Sequence, residues 1–189
     1  GNRLIYSYTN AHHANNYGIE VDIKKGLSFI GLPNFSWSFN GALIKSRVNF
    51  SGTKLMENRP MQGQSPYLVN TGIFYKNEKL QLDAALLYNR IGKRIIGVGR
   101  SEGTTSGNEA LRVPDSYEMP RDVLDLSVSK KFGTHWEVKA NIRDILAQRV
   151  YYKEFVTATL NDGTTKKVEQ ITRSFKPGRN IGLSITYKL

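Results

Sequence analysis

The last ten residues read NIGLSITYKL (Asn180–Leu189). Ile181, Leu183, Ile185, Tyr187 and Leu189 fall on one side of an extended chain. Asn180, Gly182, Ser184, Thr186 and Lys188 fall on the other. Strict alternation over this length marks a β-strand with one dry face and one wet face. The strand runs to the final leucine, and it is expected to close a barrel rather than to end in an untethered tail.

The same period of two runs through the rest of the chain, and no long stretch has helical spacing. Eight strands are predicted, over 3–10, 16–26, 35–50, 65–76, 79–95, 119–132, 135–146 and from near Arg173 to the end. In the second, Tyr17, Ile19, Val21 and Ile23 oppose Gly18, Glu20, Asp22 and Lys24. In the third, Phe35, Trp37, Phe39 and Leu43 oppose Ser36, Ser38, Asn40 and Ala42. The fifth sets Leu82, Ala84, Leu86 and Tyr88 against Asp83, Ala85 and Asn89. The sixth and seventh set Leu124, Leu126, Val128, Trp136, Val138 and Ile142 against Asp125, Ser127, Ser129, Glu137, Lys139 and Arg143.

The connections alternate in length. Residues 76–79 (KNEK) and 132–135 (FGTH) are tight turns, and 25–34 is moderate. Residues 51–64, 96–118 and 147–172 are long and rich in Gly, Ser, Thr, Asn and Pro. The last contains Asp162-Gly163, a hairpin signal that predicts a projecting ribbon. In an up-and-down meander, alternating lengths put every short turn at one end and every long loop at the other. Aromatics gather at the short-turn end: Phe29, Phe35, Trp37, Phe74, Tyr75, Phe132, Trp136 and Tyr187. Short turns with an aromatic belt at one rim, long loops at the other, and strands of about ten residues predict a transmembrane β-barrel wall.

Composition narrows the alternatives. Cysteine is absent, which excludes disulfide scaffolds and thiolate metal sites. No run approaches the ~18 apolar residues of a membrane helix. The net charge is +11, but the 27 Lys and Arg are spread among 16 acids, with no run longer than the Lys pairs at 24–25, 130–131 and 166–167. That suits an anionic lipid surface, and no nucleic-acid partner is expected. A soluble antiparallel barrel, with its apolar face inward, also fits alternation alone. A complete eight-stranded outer-membrane barrel with a structural or adhesive role fits the length. The opening GNRLIYSY reads as mid-strand, so more chain is expected upstream.

The closing segment SFKPGRNIGLSITYKL resembles the last strand of TonB-dependent outer-membrane receptors. DVLDLSVSKKFGTHWEVKANIRDILAQRVYY resembles their preceding hairpin, where an Asn-Leu-Phe-Asp-like segment (here Asn141, Ile142, Arg143, Asp144) leads to a Tyr-bearing loop (Tyr151, Tyr152). NRPMQGQSPYLVNTGIFYKNEKLQLDAALLYNRIGKRI and NNYGIEVDI are similar to further strand segments of that family, in the same order. The style is closest to receptors of Bacteroidota with a carboxypeptidase-regulatory-like N-terminal module. One departure is the final residue, Leu189 where the family commonly has Phe.

The resemblance implies an all-β antiparallel up-and-down transmembrane barrel segment, about eight strands of a 22-stranded barrel. Residues 1–189 would form its C-terminal part, with no second domain in this chain. It implies active uptake of a scarce ligand in the bacterial outer membrane, with a plug and an energy-coupling box upstream. The implied partners are outer-membrane lipid and lipopolysaccharide, the barrel assembly machinery, and a TonB-type complex reached through the missing N-terminal part. A surface lipoprotein is a further candidate partner. Gly182, Ile185, Tyr187 and Leu189 resemble the C-terminal signal read during outer-membrane assembly.

Catalytic patterns are not found. His12 and His13 are adjacent and point to opposite faces of an extended segment, and His135 sits in a tight turn. Glu20 and Asp22 share a strand face, which suits a charge ladder. GVGRSEG (97–103) fits no nucleotide motif and reads as a flexible loop. No catalytic, metal-binding or cofactor-binding residue is assigned, and no enzyme activity or cofactor is expected. The ligand-binding residues are not read from the sequence; the three long loops are the expected contact regions.

Overall fold

The structure, a computed structural model, describes residues 10–50, 58–99, 113–159 and 163–189. It is all-β, with one 3₁₀ turn at Ser28–Ile30. The strands are β1 (His13–Gly26), β2 (Phe35–Asn49), β3 (Tyr67–Asn77), β4 (Leu82–Ile91), β5 (Arg94–Gly97), β6 (Ser116–Glu118), β7 (Asp122–Phe132), β8 (Trp136–Arg143), β9 (Val150–Thr159), β10 (Thr165–Phe175) and β11 (Asn180–Tyr187). Seven form one antiparallel sheet in the order β1-β2-β3-β4-β7-β8-β11, and four form a second in the order β10-β9-β6-β5.

The larger sheet is the expected meander. Residues 27–34, 78–81 and 133–135 turn the chain at one end, and the amide of Lys188 donates to the His135 carbonyl at the same end at 2.8 Å. The long connections lie at the other end. Left-handed backbone makes two of the turns possible: Gly31 at φ 81° and Gly133 at φ 61°. In the 78–81 turn the Asn77 side chain accepts from the Leu80 amide at 3.0 Å.

Register puts like with like. One row across six strands reads Trp37, Ile73, Leu86, Leu126, Ile142 and Ile181. The neighbouring row on the opposite face reads Ser36, Phe74, Ala85, Ser127, Asn141 and Gly182. The faces read from alternation are therefore the faces the sheet has.

Four expectations need correction. The stretch 79–95 is two strands, because the backbone at Gly92 passes close beneath the Tyr67 ring. A β-carbon there would lie 2.8 Å from that ring, and the Gly92 amide donates to the Tyr67 carbonyl at 3.0 Å. The stretch 119–132 joins the larger sheet only at Asp122, after Pro120, which has no amide hydrogen to give. The stretch 135–146 ends at Arg143, because Asp144 is left-handed at φ 53°. The strand expected from near Arg173 is two strands in different sheets, separated by Pro177 and by Gly178 at φ 81°. The expected first strand, apart from Asn10, lies outside the described residues.

Two of the three long connections thus carry strands of their own. The expected ribbon has its two strands, β9 paired with β10, with a bulge between Ile171 and Arg173; Asp162 of its turn lies outside the described residues. It is not solitary, since β9 also pairs with β6. Tyr151 and Tyr152 stand on β9 rather than in a loop.

The packing is unlike that of a compact domain. Among the described residues the buried apolar side chains are Ile95 and Val150, both in the smaller sheet. Ile19, Leu183 and Ile181 are 72%, 69% and 74% exposed on the apolar face of the larger one. The chain exposes 14014 Å², against about 9,000 Å² for a compact monomer of 21.3 kDa. Among the described residues no second layer covers this face.

Candidate functional site

The polar face of the larger sheet carries an amide ladder. Asp22, Asn40, Asn70 and Asn89 are register partners on β1 to β4. The Asn40 side-chain amide donates to Glu20 at 2.9 Å and to Asp22 at 3.4 Å. Its oxygen accepts from Asn70 at 3.4 Å, and the Asn70 oxygen accepts from Asn89. The four groups are joined head to tail, with every donor aimed toward the carboxylates. Glu20 and Asp22 are thus the acceptor end of a hydrogen-bonded track and not an acid–base pair.

Two hollows lie along this face. One, of about 290 Å³, is lined by Asp22, Asn40, Asn70, Leu87, Asn89 and Asp125 among others. The other, of about 450 Å³, includes Lys24, Lys76, Asp83, Glu137 and Lys139. Mixed charge and amides suit water and polar solutes, and a neutral amide track adds hydrogen bonding without a dominant sign.

The apolar face is bounded by aromatics at both ends. At the short-turn end Phe35 meets Tyr75 at 4.9 Å between ring centres, and Tyr187 meets Trp136 at 4.8 Å and His135 at 5.8 Å. The Trp37 indole donates to Thr71 at 2.8 Å, so that donor is satisfied within the sheet. At the long-loop end stand Tyr17, Tyr67 and Tyr88. The Tyr88 hydroxyl donates to Asp122 at 2.6 Å, which also takes Arg90 at 2.5 Å. The Arg90 Nε donates to the Tyr67 hydroxyl at 3.2 Å. This second girdle was not read from the sequence, although its residues sit on the apolar side of the alternation.

Beyond that girdle the smaller sheet forms a ledge. Arg59 is buried and pairs with Asp115, which also accepts from the Gly99 amide at 2.8 Å. Arg94 places Nε and one Nη on Glu118 at 2.9 and 2.7 Å. The Lys93 ammonium lies 4.8 Å from the centres of both Tyr117 and Phe155, and the Arg173 guanidinium lies over Tyr152 and Phe175 at 5.7 and 5.2 Å. Burial, with Asp115 nearby, raises the Tyr117 hydroxyl pKa, so the ring opposite Lys93 stays neutral. Clustered Tyr and Arg on rigid strands is a composition well suited to recognition.

The ledge is tied to the wall at one corner. Arg121 pairs with buried Asp144 at 2.6 Å, the Asp144 amide donates to Asp125 at 2.8 Å, and the Arg179 Nε donates to the Ile145 carbonyl at 2.6 Å. The turn after β8 and the Pro-Gly-Arg before β11 therefore meet.

Of the residues singled out in the closing strand, Ile185 and Tyr187 lie on the apolar face opposite Val138 and Trp136. Gly182 lies on the polar face opposite Asn141, and Leu189 lies beyond the strand end, fully exposed. Only Tyr187 joins an aromatic cluster. His12 and His13 meet edge to face at 5.4 Å. Of GVGRSEG, residues 97–99 are described; Gly97 ends β5 and the remainder lies outside the described residues.

No family model matches this chain, and no curated protein matches it. Among solved structures it is similar to the crystal structure of the ferric yersiniabactin uptake receptor FyuA from Yersinia pestis. The TM-score is 0.59 at 17% identity, over 95% of this chain and 24% of that one. The chain spans about a quarter of the receptor's length and shares the antiparallel barrel-type fold of that quarter.

Proposed function

We propose that residues 1–189 are the C-terminal wall of a TonB-dependent outer-membrane receptor that takes up a scarce ligand. The observation that carries this is the apolar face of seven neighbouring strands, uncovered among the described residues and backed by a face of amides and charges. The likeness to an uptake receptor supports the same reading. In it the apolar row from Trp37 to Ile181 faces lipid, and the track from Asp22 to Asn89 faces the lumen. The ledge faces outward and contacts ligand or a surface lipoprotein. The energy-coupling complex acts through upstream chain.

Dimensions agree. On β3 the two girdles stand eight residues apart (Tyr67 to Tyr75), about 27 Å along the strand. Tilted by 35–45°, that is about 19–22 Å of height, close to the ~25 Å apolar band of such barrels. Among the described residues β1 pairs with β2 alone and β11 with β8 alone.

Gly182, Ile185, Tyr187 and Leu189 serve in this reading as the signal for barrel assembly. The test uses the full-length protein. It should fractionate with the outer membrane, need detergent for extraction and show heat-modifiable mobility on a gel. Ligand uptake should stop when the energy-coupling complex is removed. Tyr187→Asp, or a polar tag after Leu189, should cut the folded, membrane-inserted yield. Recovery of the protein in aqueous extracts would sink the proposal, and normal yield of both variants would sink the role given to the closing strand.

A further inference from the structure

Resting on that membrane reading, we infer that Lys45 and Arg47 hold the phosphate groups of a phosphorylated glycolipid of the outer leaflet, a lipid of the lipopolysaccharide class. Six charged side chains occupy apolar-face positions on the seven strands among the described residues. Four have protein partners. Arg90 pairs with Asp122 at 2.5 Å. The Lys25 ammonium lies 5.8 Å from the centre of the Phe29 ring. Lys130 donates to the Leu80 carbonyl and lies 5.9 Å from the centre of Phe132. Lys45 and Arg47 are exposed and engage no side chain or carbonyl among the described residues.

Their position gives the missing partner its chemistry. Both lie on β2, two residues apart, hence about 6.8 Å along one face. Across the ladder, Tyr17 stands opposite Lys45 and Asn15 opposite Arg47, supplying a hydroxyl and an amide. This group sits at the long-loop end, level with the second girdle and just beyond it. Two cations there would attract an anion, and a guanidinium fork matches phosphate oxygens in pairs. Next along the same face come Leu43, 67% exposed, and Ile19, its register partner. A free phosphate has no use for that apolar strip. A phosphorylated amphiphile does, with its head group on Lys45 and Arg47 and its acyl chains along Leu43, Ile19 and Val21.

The experiment titrates the full-length protein in neutral detergent with bis-phosphorylated lipid A. Parallel arms use its dephosphorylated form, phosphatidylglycerol and inorganic phosphate. Wild type should bind the phosphorylated glycolipid about 30-fold more tightly than the Lys45→Ala/Arg47→Ala variant. The exchange Lys45→Arg/Arg47→Lys should retain most of the affinity, and dephosphorylated lipid should bind wild type as weakly as phosphorylated lipid binds the alanine variant. Equal affinity of wild type and alanine variant overturns the inference. Full displacement by inorganic phosphate, or equally tight phosphatidylglycerol, overturns the assignment to this lipid class. A Leu183→Cys control separates the two levels: labelling by a water-soluble maleimide in membranes would mean the membrane reading has failed. Protection at Leu183 with unchanged lipid binding would mean only this inference has.

Discussion

At Gly99 a β-carbon would stand 2.0 Å from the Val113 carbonyl oxygen and 2.4 and 2.5 Å from Pro114 backbone atoms. Backbone cannot swing aside as a side chain can. Gly99→Ala should therefore cost about 3 kcal/mol, read from denaturant unfolding of the refolded full-length protein. Gly182 is as crowded by number, 2.4 Å from Asn141 Oδ1, but that atom is the far end of a rotatable side chain. Gly182→Ala should change stability by less than about 0.5 kcal/mol in the same measurement. Ala147 is the reverse case. It holds φ 45° with a β-carbon in place, and Ala147→Gly should raise stability by about 1 kcal/mol by removing that clash. A lower unfolding midpoint for this variant would show that the turn after β8 is not strained as described.

Single strands show what alternation can reveal. The faces of all seven wall strands were legible, because each strand is long enough to repeat its pattern several times. So were the short turns, whose Gly31, Gly133 and Asn77 have specific geometric work, although the turn expected at 76–79 lies at 78–81. The smaller sheet was less legible. β5 and β6 hold four and three residues, too few for a period, and they lie among loop-forming residues. The amide ladder was invisible for another reason: Asp22, Asn40, Asn70 and Asn89 become neighbours only through register, which one strand's pattern does not contain. Side-chain direction also sets the cost of a charge. Leu126 and Ser127 are adjacent on β7 and point to opposite faces. Leu126→Arg should destabilise the inserted barrel by about 2–4 kcal/mol, and Ser127→Arg by less than about 1 kcal/mol. Equal costs in unfolding from bilayers would mean that neither face meets lipid.

For the whole molecule, the deciding feature is how few apolar side chains are buried among the described residues. A sheet with Ile19, Leu183 and Ile181 largely exposed cannot be stable against water by its own packing, since each such side chain would gain roughly 1.5–3 kcal/mol from burial. In the proposed reading lipid supplies that burial without a second layer, while the polar face, with its carboxylates, lysines and amides, meets water. The most direct measurement places spin labels one at a time along β11 and β7 of the full-length protein in bilayers and compares collision with oxygen and with a water-soluble nickel chelate. Labels at 181, 183, 185, 124, 126 and 128 should favour oxygen, and labels at 182, 184, 125, 127 and 129 should favour the chelate, with a period of two. Uniform access by the chelate, or the opposite phase, would contradict a wall that separates lipid from lumen.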